Sequence, residues 1–473
     1  MQKRLSALFV ALCLLLCAVP SVGMAVRPTT EPIGNERSTA LPAVKTPEGK
    51  LNLRFFPELG DWFEKHFAFR PELMTADAAI GAGVFGVSNV DSVIVGTDGW
   101  LYYASTLNDY CGRGQLTDAQ IDGVVHNLGL IRDYARQNGA DFLFTVAPNK
   151  NTLYPEHMPY YDRAAVSNVR NRDRLNAALA DSDIAYVNLF DLFAQQNETL
   201  YLKQDSHWNN KGALLAYNAI TAALGKAHPD YADVQATRKK DFAGDLAAML
   251  YPAAHAKEYN YDYGAQNAYT TAAASVEEPF ITTENLDAGG SLYMYRDSFG
   301  NSLLPFFASA YGTATFTKSF PMVLSNDLPA AKPDVFVMEL VERNIDWLLK
   351  TPPVLPAPRR EITLPQQCGE SVDVTAEICP YSSEYIEISG NLLYDKEEGS
   401  VCVALTGADG KTAVYECYAA LDADGNDGYL AYVPAADYPA GAPLTVTVLS
   451  VNGTVCAVRG SQTVVIGGSY ETH

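Results

Sequence analysis

Two short fragments carry residue types that can do nucleophilic chemistry together: Asp205-Ser206-His207-Trp208 and Arg296-Asp297-Ser298-Phe299-Gly300-Asn301. An Asp two positions before a His, with a Ser on a strand-to-helix turn, holds the parts of a serine nucleophile system. In an extended segment residues i and i+2 point the same way, so the Asp205 carboxylate would reach one imidazole nitrogen of His207. The other nitrogen would face outward and take a proton from the Ser298 hydroxyl. Ser298 follows the apolar run Leu292-Tyr293-Met294-Tyr295 and precedes a helical pattern with Leu303, Leu304 and Phe307. Backbone N–H groups at that helix start, Phe299 among them, are candidates to stabilise an oxyanion.

Each residue also has a plainer role. Ser298 or Asp297 alone would read as a helix cap, Asp205 as another, and His207 as a buried, hydrogen-bonded histidine. The conjunction of all three favours catalysis. Trp208 reads as packing support. Asn149 and Lys150 follow the apolar run Phe142-Leu143-Phe144-Thr145-Val146, where they would border the same cleft and donate to an oxyanion or orient substrate. A solvated lysine is the equal alternative. Arg343, just after Val335–Leu340, is a further supporting candidate. Tyr251, Tyr259, Tyr261 and Tyr263 offer rings that could stack on sugars, or serve as ordinary surface and core.

The elements that must position these residues alternate. Thr117 with Gln120 forms a capping-box pattern ahead of Ile121, Val124, Leu128, Ile131 and Tyr134 at helical spacing, closed by Gly139. After the strand at 142–146, a helix is expected over 165–179, a strand over 185–189 and a helix over 211–224. Strands are also expected at 292–295 and 335–340, with a helix after Gly300. Strands alternating with helices predict an α/β fold, a parallel sheet flanked by helices, with its site beyond the carboxyl ends of the strands. Val93–Tyr103 reads as a hairpin with an Asp-Gly turn. The Ala/Tyr-rich stretch 228–290 reads as an irregular insertion, a candidate flap over the substrate side. Beyond a Pro-rich linker at 351–366, seven short strand patterns separated by Gly/Asp/Asn turns predict a β-sandwich over 367–473.

The chain has 473 residues, a formal net charge of −21 and 19% charged residues, as expected of a folded protein of more than one domain. No Lys/Arg cluster stands out, so nucleic acid is not an expected partner. Lys3 and Arg4 precede an apolar run over 5–22, with Gly23 and Ala25 spaced like a signal-peptidase site. Residues 1–25 read as a secretory signal or an uncleaved membrane anchor, and 26–50 as a linker, leaving the remainder extracytoplasmic. Outside the signal the cysteines are Cys111, Cys368, Cys379, Cys402, Cys417 and Cys456, an even number that permits disulfides without fixing their pairing. CxxC, HExxH and tight His/Cys clusters are absent from the sequence, so neither a metal nor another cofactor is expected.

Asp205-Ser206-His207-Trp208, Arg296-Asp297-Ser298-Phe299 and Ala147-Pro148-Asn149-Lys150 together resemble the DHHW proteins and the alginate O-acetyltransferases of the AlgJ and AlgX type. Asn35-Glu36-Arg37, Phe67-Ala68-Phe69-Arg70 and Val95–Tyr102 look like that family's N-terminal signatures, so the likeness covers about 35–349. It implies an SGNH-hydrolase-like domain over 51–350, with Asp205 orienting, His207 as general base and Ser298 carrying an acetyl group. It also implies a polysaccharide acceptor and a separate membrane-bound acyltransferase that supplies acetyl groups. Ser206 stands where the family has a His or Thr, Arg296 where hydrolases of this type have Gly, and Thr317–Pro321 where many relatives have Asp-Pro-Arg-Tyr. An acetyl esterase with the same triad, and an envelope scaffold or glycan-binding protein without catalysis, are the alternatives.

Overall fold

The computed structural model describes the chain except residues 1, 25–26, 30–32, 34–37, 48, 255, 366–370, 393–398, 454 and 468–473. Asn35-Glu36-Arg37 and Cys368 therefore lie outside the described residues.

The central element is a seven-stranded sheet in the order Tyr186–Val187, Asp141–Ala147, Val335–Val341, Ser291–Tyr295, Thr313–Thr317, Phe280–Glu284, Thr270–Thr271. The first five strands run parallel, and the last two are antiparallel additions. Both faces of the parallel part are covered, which explains its near-continuous apolar runs. Along 141–147, Phe142, Phe144 and Val146 enter one core while Leu143 and Ala147 enter the other. Val335–Val341 divides in the same way, with Phe336, Met338 and Leu340 against Val335, Val337 and Val341. Helix Asp118–Gln137 packs into the first core, and helices Asn210–Ala223 and Gly300–Ala310 into the second.

Local signals account for most of these boundaries. Thr117 and Gln120 form the reciprocal capping box, and Gly139 closes the helix at φ 84°. The hairpin Val93–Val95/Leu101–Tyr103 turns through Asp98 and Gly99, both at positive φ (54° and 79°). Other expectations shift. The helix expected over 165–179 begins at Asn171, and the strand at 185–189 shortens to Tyr186–Val187. Asn188 there caps a new helix, Leu189–Ala194, by accepting from the N–H groups of Phe190 and Asp191.

The stretch 228–290 is more ordered than its composition suggested. It holds an antiparallel pair, Thr237–Ala243 with Lys257–Asp262, and the helix Asp245–Leu250. It also supplies both antiparallel strands of the main sheet.

C-terminal to the sheet, a five-stranded and a four-stranded antiparallel sheet face each other across an apolar core that includes Ile386, Ile388, Val403, Leu405, Val433 and Val446. This all-β part is joined to the α/β part through helix Asp118–Gln137. Asn127 donates to the carbonyls of Leu348 and Ala419 and accepts from the Ala419 N–H. Cys111, Cys379, Cys402, Cys417 and Cys456 are unpaired, so the permitted disulfides do not form among the described residues. The N-terminal apolar run is helical over Gln2–Gly23. Among the described residues no helix is long and apolar enough to cross a membrane.

Candidate active site

Ser298 lies three residues beyond strand Ser291–Tyr295 and two before helix Gly300–Ala310, at the carboxyl edge of the sheet. Asp297 shapes this turn. Its carboxylate accepts from the Phe299 N–H at 2.8 Å and from the Val341 N–H at 2.7 Å, and its own N–H donates to Glu339 at 3.1 Å. Glu339 is fully buried in the middle of strand Val335–Val341. Burial and the neighbouring Asp297 push its carboxyl well above the usual carboxylate range.

Asp205 and His207 reach the same edge from a run of bends between Tyr201 and Trp208, not from an extended strand. Their contact is an Asx-type turn: Asp205 Oδ1 accepts both the His207 backbone N–H at 2.8 Å and Nδ1–H at 2.7 Å. The opposite ring nitrogen, Nε2, is 2.8 Å from Ser298 Oγ. Asp205, His207 and Ser298 thus form one continuous hydrogen-bonded chain.

Electrostatics match this arrangement. Burial would raise the Asp205 carboxyl, but the charge and hydrogen bond of the imidazole beside it, with the backbone N–H groups of Asp245 and His207, hold it down, to about 2. Burial would lower the His207 imidazole, but the charge and hydrogen bond of Asp205, with help from Asp245, leave it above its ordinary value of 6.5. Trp208 is fully buried, donates Nε1–H to the Phe299 carbonyl at 3.2 Å and meets the Phe299 ring edge to face, so it supports rather than contacts a ligand.

The other candidates are not brought to the cleft. Lys150 is buried and donates to the carbonyls of Leu202, Lys203 and Asp205 at 2.7 to 2.8 Å, beneath the rings of Trp100 and Tyr102. It fastens the loop that carries Asp205. Asn149 is buried too, bonded to Glu342 and Asp109. Arg343 lies over the Tyr103 ring. None of the three lines the cavity at Ser298, and the Phe299 N–H is already given to Asp297. Tyr261 and Tyr263 do line it. Tyr251 instead packs on Leu246 and Leu250, and Tyr259 lies under Arg238.

Residues the sequence reading passed over complete the site. Asp245 accepts from the Ser206 N–H at 2.8 Å and hydroxyl at 2.6 Å, donates its own N–H to Asp205 at 2.8 Å, and stands 3.8 Å from His207 Nδ1. Ser206 is therefore a link rather than a spacer. The approach depends on Gly244, where a Cβ would fall 2.2 Å from the Gln204 carbonyl oxygen. Asp205, His207 and Asp245 also place three ligand-type atoms within 4.8 Å of one another, although Nδ1 is engaged by Asp205. Arg296 is fully buried, donates to the Val276 and Glu278 carbonyls and bonds the Asn301 side chain; Asn301 in turn donates to Glu277 at 2.8 Å. Glu339 left a visible signal, an acid within an otherwise apolar strand. Asp245 left none, because the stretch 228–290 that holds it reads as irregular.

The cavity at Ser298 and His207 has a volume of about 540 Å³ and is walled largely by the 237–266 region and the start of helix Gly300–Ala310. That volume lies within the ordinary range of ligand-binding clefts.

Comparison with known proteins agrees with the likeness read from the motifs. Residues 93–286 match the family described as SGNH hydrolase-like domain, acetyltransferase AlgX. This span includes Asp205, His207 and Asp245 and ends before Ser298. A probable alginate O-acetylase AlgJ of Pseudomonas syringae pv. tomato is 27% identical over 168 residues, 33% of this chain and 41% of that protein. The chain thus spans less than half the length of the curated relatives it matches. Among solved structures, Bacillus cereus PatB1 aligns with a TM-score of 0.41 at 17% identity, covering 52% of this chain and 95% of that one. The O-acetyltransferase domain of Pseudomonas putida AlgJ aligns at 0.38 and 18%, covering 54% and 92%.

Proposed function

For a chain that carries an SGNH hydrolase-like domain of the AlgX and AlgJ acetyltransferase kind, we propose O-acetyl transfer to a polysaccharide hydroxyl through an acetyl-serine intermediate. The observation that carries this reading is the unbroken Asp205–His207–Ser298 relay, with contacts of 2.7 and 2.8 Å. Ser298 Oγ attacks the acetyl carbonyl carbon while its proton passes to His207 Nε2. The same proton then leaves with the donor's departing oxygen. In the second half, Nε2 takes the proton of an acceptor hydroxyl, whose oxygen attacks the acetyl carbon and releases Ser298, reprotonated from the imidazolium. Asp205 holds the tautomer and stabilises the imidazolium in both halves. At the start of helix Gly300–Ala310 the N–H groups of Asn301 and Ser302 go to the carbonyls of Ser298 and Phe299, which leaves the Gly300 N–H as the donor suited to the oxyanion. The acetyl donor would be supplied by a membrane-bound acyltransferase, and the protein would work outside the cytoplasm.

The test gives purified protein an activated acetyl ester with and without an oligosaccharide acceptor, beside Ser298→Ala. Acetylated sugar from the wild type alone supports transfer. Ser298-dependent acetate release without acetylated sugar makes the protein an esterase. Equal behaviour of wild type and Ser298→Ala rejects catalysis by this site.

A further inference from the structure

Resting on the transferase reading, we infer that the acceptor is a glycan free of carboxylates, and that this cleft selects against polyuronates. The cavity wall at Ser298 presents Asp205, Asp241, Asp245, Asp262 and Glu277, and among the described lining residues Lys239 is the one lysine or arginine. Lys239 is tied to Asp262 at 2.6 Å. Glu277 is tied to Lys318 at 3.0 Å, and Lys318 stands outside the lining. Asp205 is held by His207. Asp241 has no ion pair among the described residues, and Asp245 has only the imidazole that it shares with Asp205.

A polyuronate brings one carboxylate on every ring. In this cleft it would meet Asp241 and Asp245 with no lysine or arginine of the lining left to receive it, and apolar walls sharpen that repulsion. Carboxylates are ordinarily received by the fork of an arginine or by a lysine. Arg296 and Lys211, each within two residues of a lining residue, are already committed, and Arg238 and Lys240 lie over the Tyr259 ring. Arg296 is buried with its two terminal nitrogens on backbone carbonyls and Asn301, and Lys211 is paired with Glu198 over the ring of Tyr261.

What the cleft offers suits hydroxyl-rich rings with apolar faces. Tyr261, Tyr263 and Phe306 provide flat surfaces, and the carboxylates with Asn210 accept from hydroxyl groups. The formal charge of −21 over the whole chain adds repulsion toward polyanions at longer range.

The test is acetyl transfer from an activated acetyl ester to a panel of neutral gluco-, galacto- and xylo-oligomers and to oligouronates of matched length. Wild type should use the best neutral oligomer with a kcat/KM about tenfold or more above the best oligouronate at low salt. Added salt and Asp241→Lys should both narrow that ratio. An oligouronate that serves equally well, or a ratio untouched by salt and by Asp241→Lys, overturns the inference. Acetate release without transfer to any sugar is the failure of the transferase reading instead. In that case titration of Ser298→Ala with the same oligomers decides the charge question, and tighter binding of the oligouronates overturns it.

Discussion

Asp245 holds its carboxylate 3.8 Å from Nδ1 of His207, the nitrogen that Asp205 binds at 2.7 Å. Two carboxylates therefore face one imidazole, and both raise its proton affinity above the ordinary 6.5. As a general base His207 must be neutral, so kcat/KM should climb with pH through a limb lying above 6.5. Asp245→Asn removes one of the raising charges, and the limb should move toward lower pH. Asn keeps one oxygen to accept from Ser206 but loses the second carboxylate oxygen. A pH–rate profile of both proteins checks this, and an unmoved limb would remove Asp245 from the electrostatics of the site.

Gly300 and Arg296 set two effects against each other. Alanine at a helix position is ordinarily favoured over glycine by about 1 kcal/mol. Here a Cβ on residue 300 would lie 2.5 Å from Arg296 Cβ and 2.7 Å from Cδ. Arg296 cannot easily yield, because its guanidinium ties the 276–278 backbone to the nucleophile turn. Overpacking of this kind costs roughly 1–3 kcal/mol, so the clash should win. Gly300→Ala is expected to lower Tm and to cut kcat/KM by about a hundredfold through misplacement of Ser298. A raised Tm would mean that the arginine moves aside freely.

Lys150 is a clamp, and its removal should be felt at Asp205. Its ammonium gives three N–H bonds to three carbonyls, those of Leu202, Lys203 and Asp205. Burial pulls its pKa down to about 7 against the nearby Asp205, Glu258 and Asp245, yet only the charged form supplies a donor for each carbonyl. Lys150→Met fills similar volume but leaves those acceptors unmet, at a cost of roughly 3 kcal/mol. Chemical denaturation should show that loss, with kcat falling further than stability alone explains. Wild-type kcat in a folded Lys150→Met protein would show that the loop holds its shape without the clamp.

The parts of the site legible in the sequence were those fixed by short-range chemistry. Asp205 and His207 lie two residues apart, and Ser298 sits between an apolar strand and a helix, so spacing alone suggested their roles. The geometry differs in kind, because the Asp205–His207 contact is made by a turn rather than by an extended segment. Lys150 was misplaced because a sequence shows no carbonyl acceptors, and a lysine after a strand reads the same whether it is solvated or clamped. Asp245 escaped notice because its partner Ser206 is 39 residues away. The strands Thr313–Thr317 and Phe280–Glu284 were missed because threonines fill most of the positions around Ala314, Phe316 and Ile281, leaving short mixed patterns where the central strands gave apolar runs.

Glu339 offers the last test, of the turn that presents Ser298. It accepts the Asp297 N–H at 3.1 Å from a site with no exposure, and burial with Asp297 nearby keeps it protonated well above 4.5. A carboxyl whose folded pKa is raised contributes stability in full below its unfolded value, near 4.5, and loses it as pH climbs toward the folded value. Glu339→Gln keeps a neutral acceptor for the Asp297 N–H and abolishes the titration. It should match wild-type kcat, and its stability relative to wild type should rise as pH climbs above about 4.5. Glu339→Leu leaves the Asp297 N–H without an acceptor, at roughly 1–3 kcal/mol, and should lower kcat more than it raises KM. Denaturation across pH, run beside acetyl-ester turnover, separates these outcomes. A Gln variant that loses stability uniformly at every pH would mean that Glu339 is ionised in the folded protein, and that the nucleophile turn rests on a buried charge instead of a neutral carboxyl.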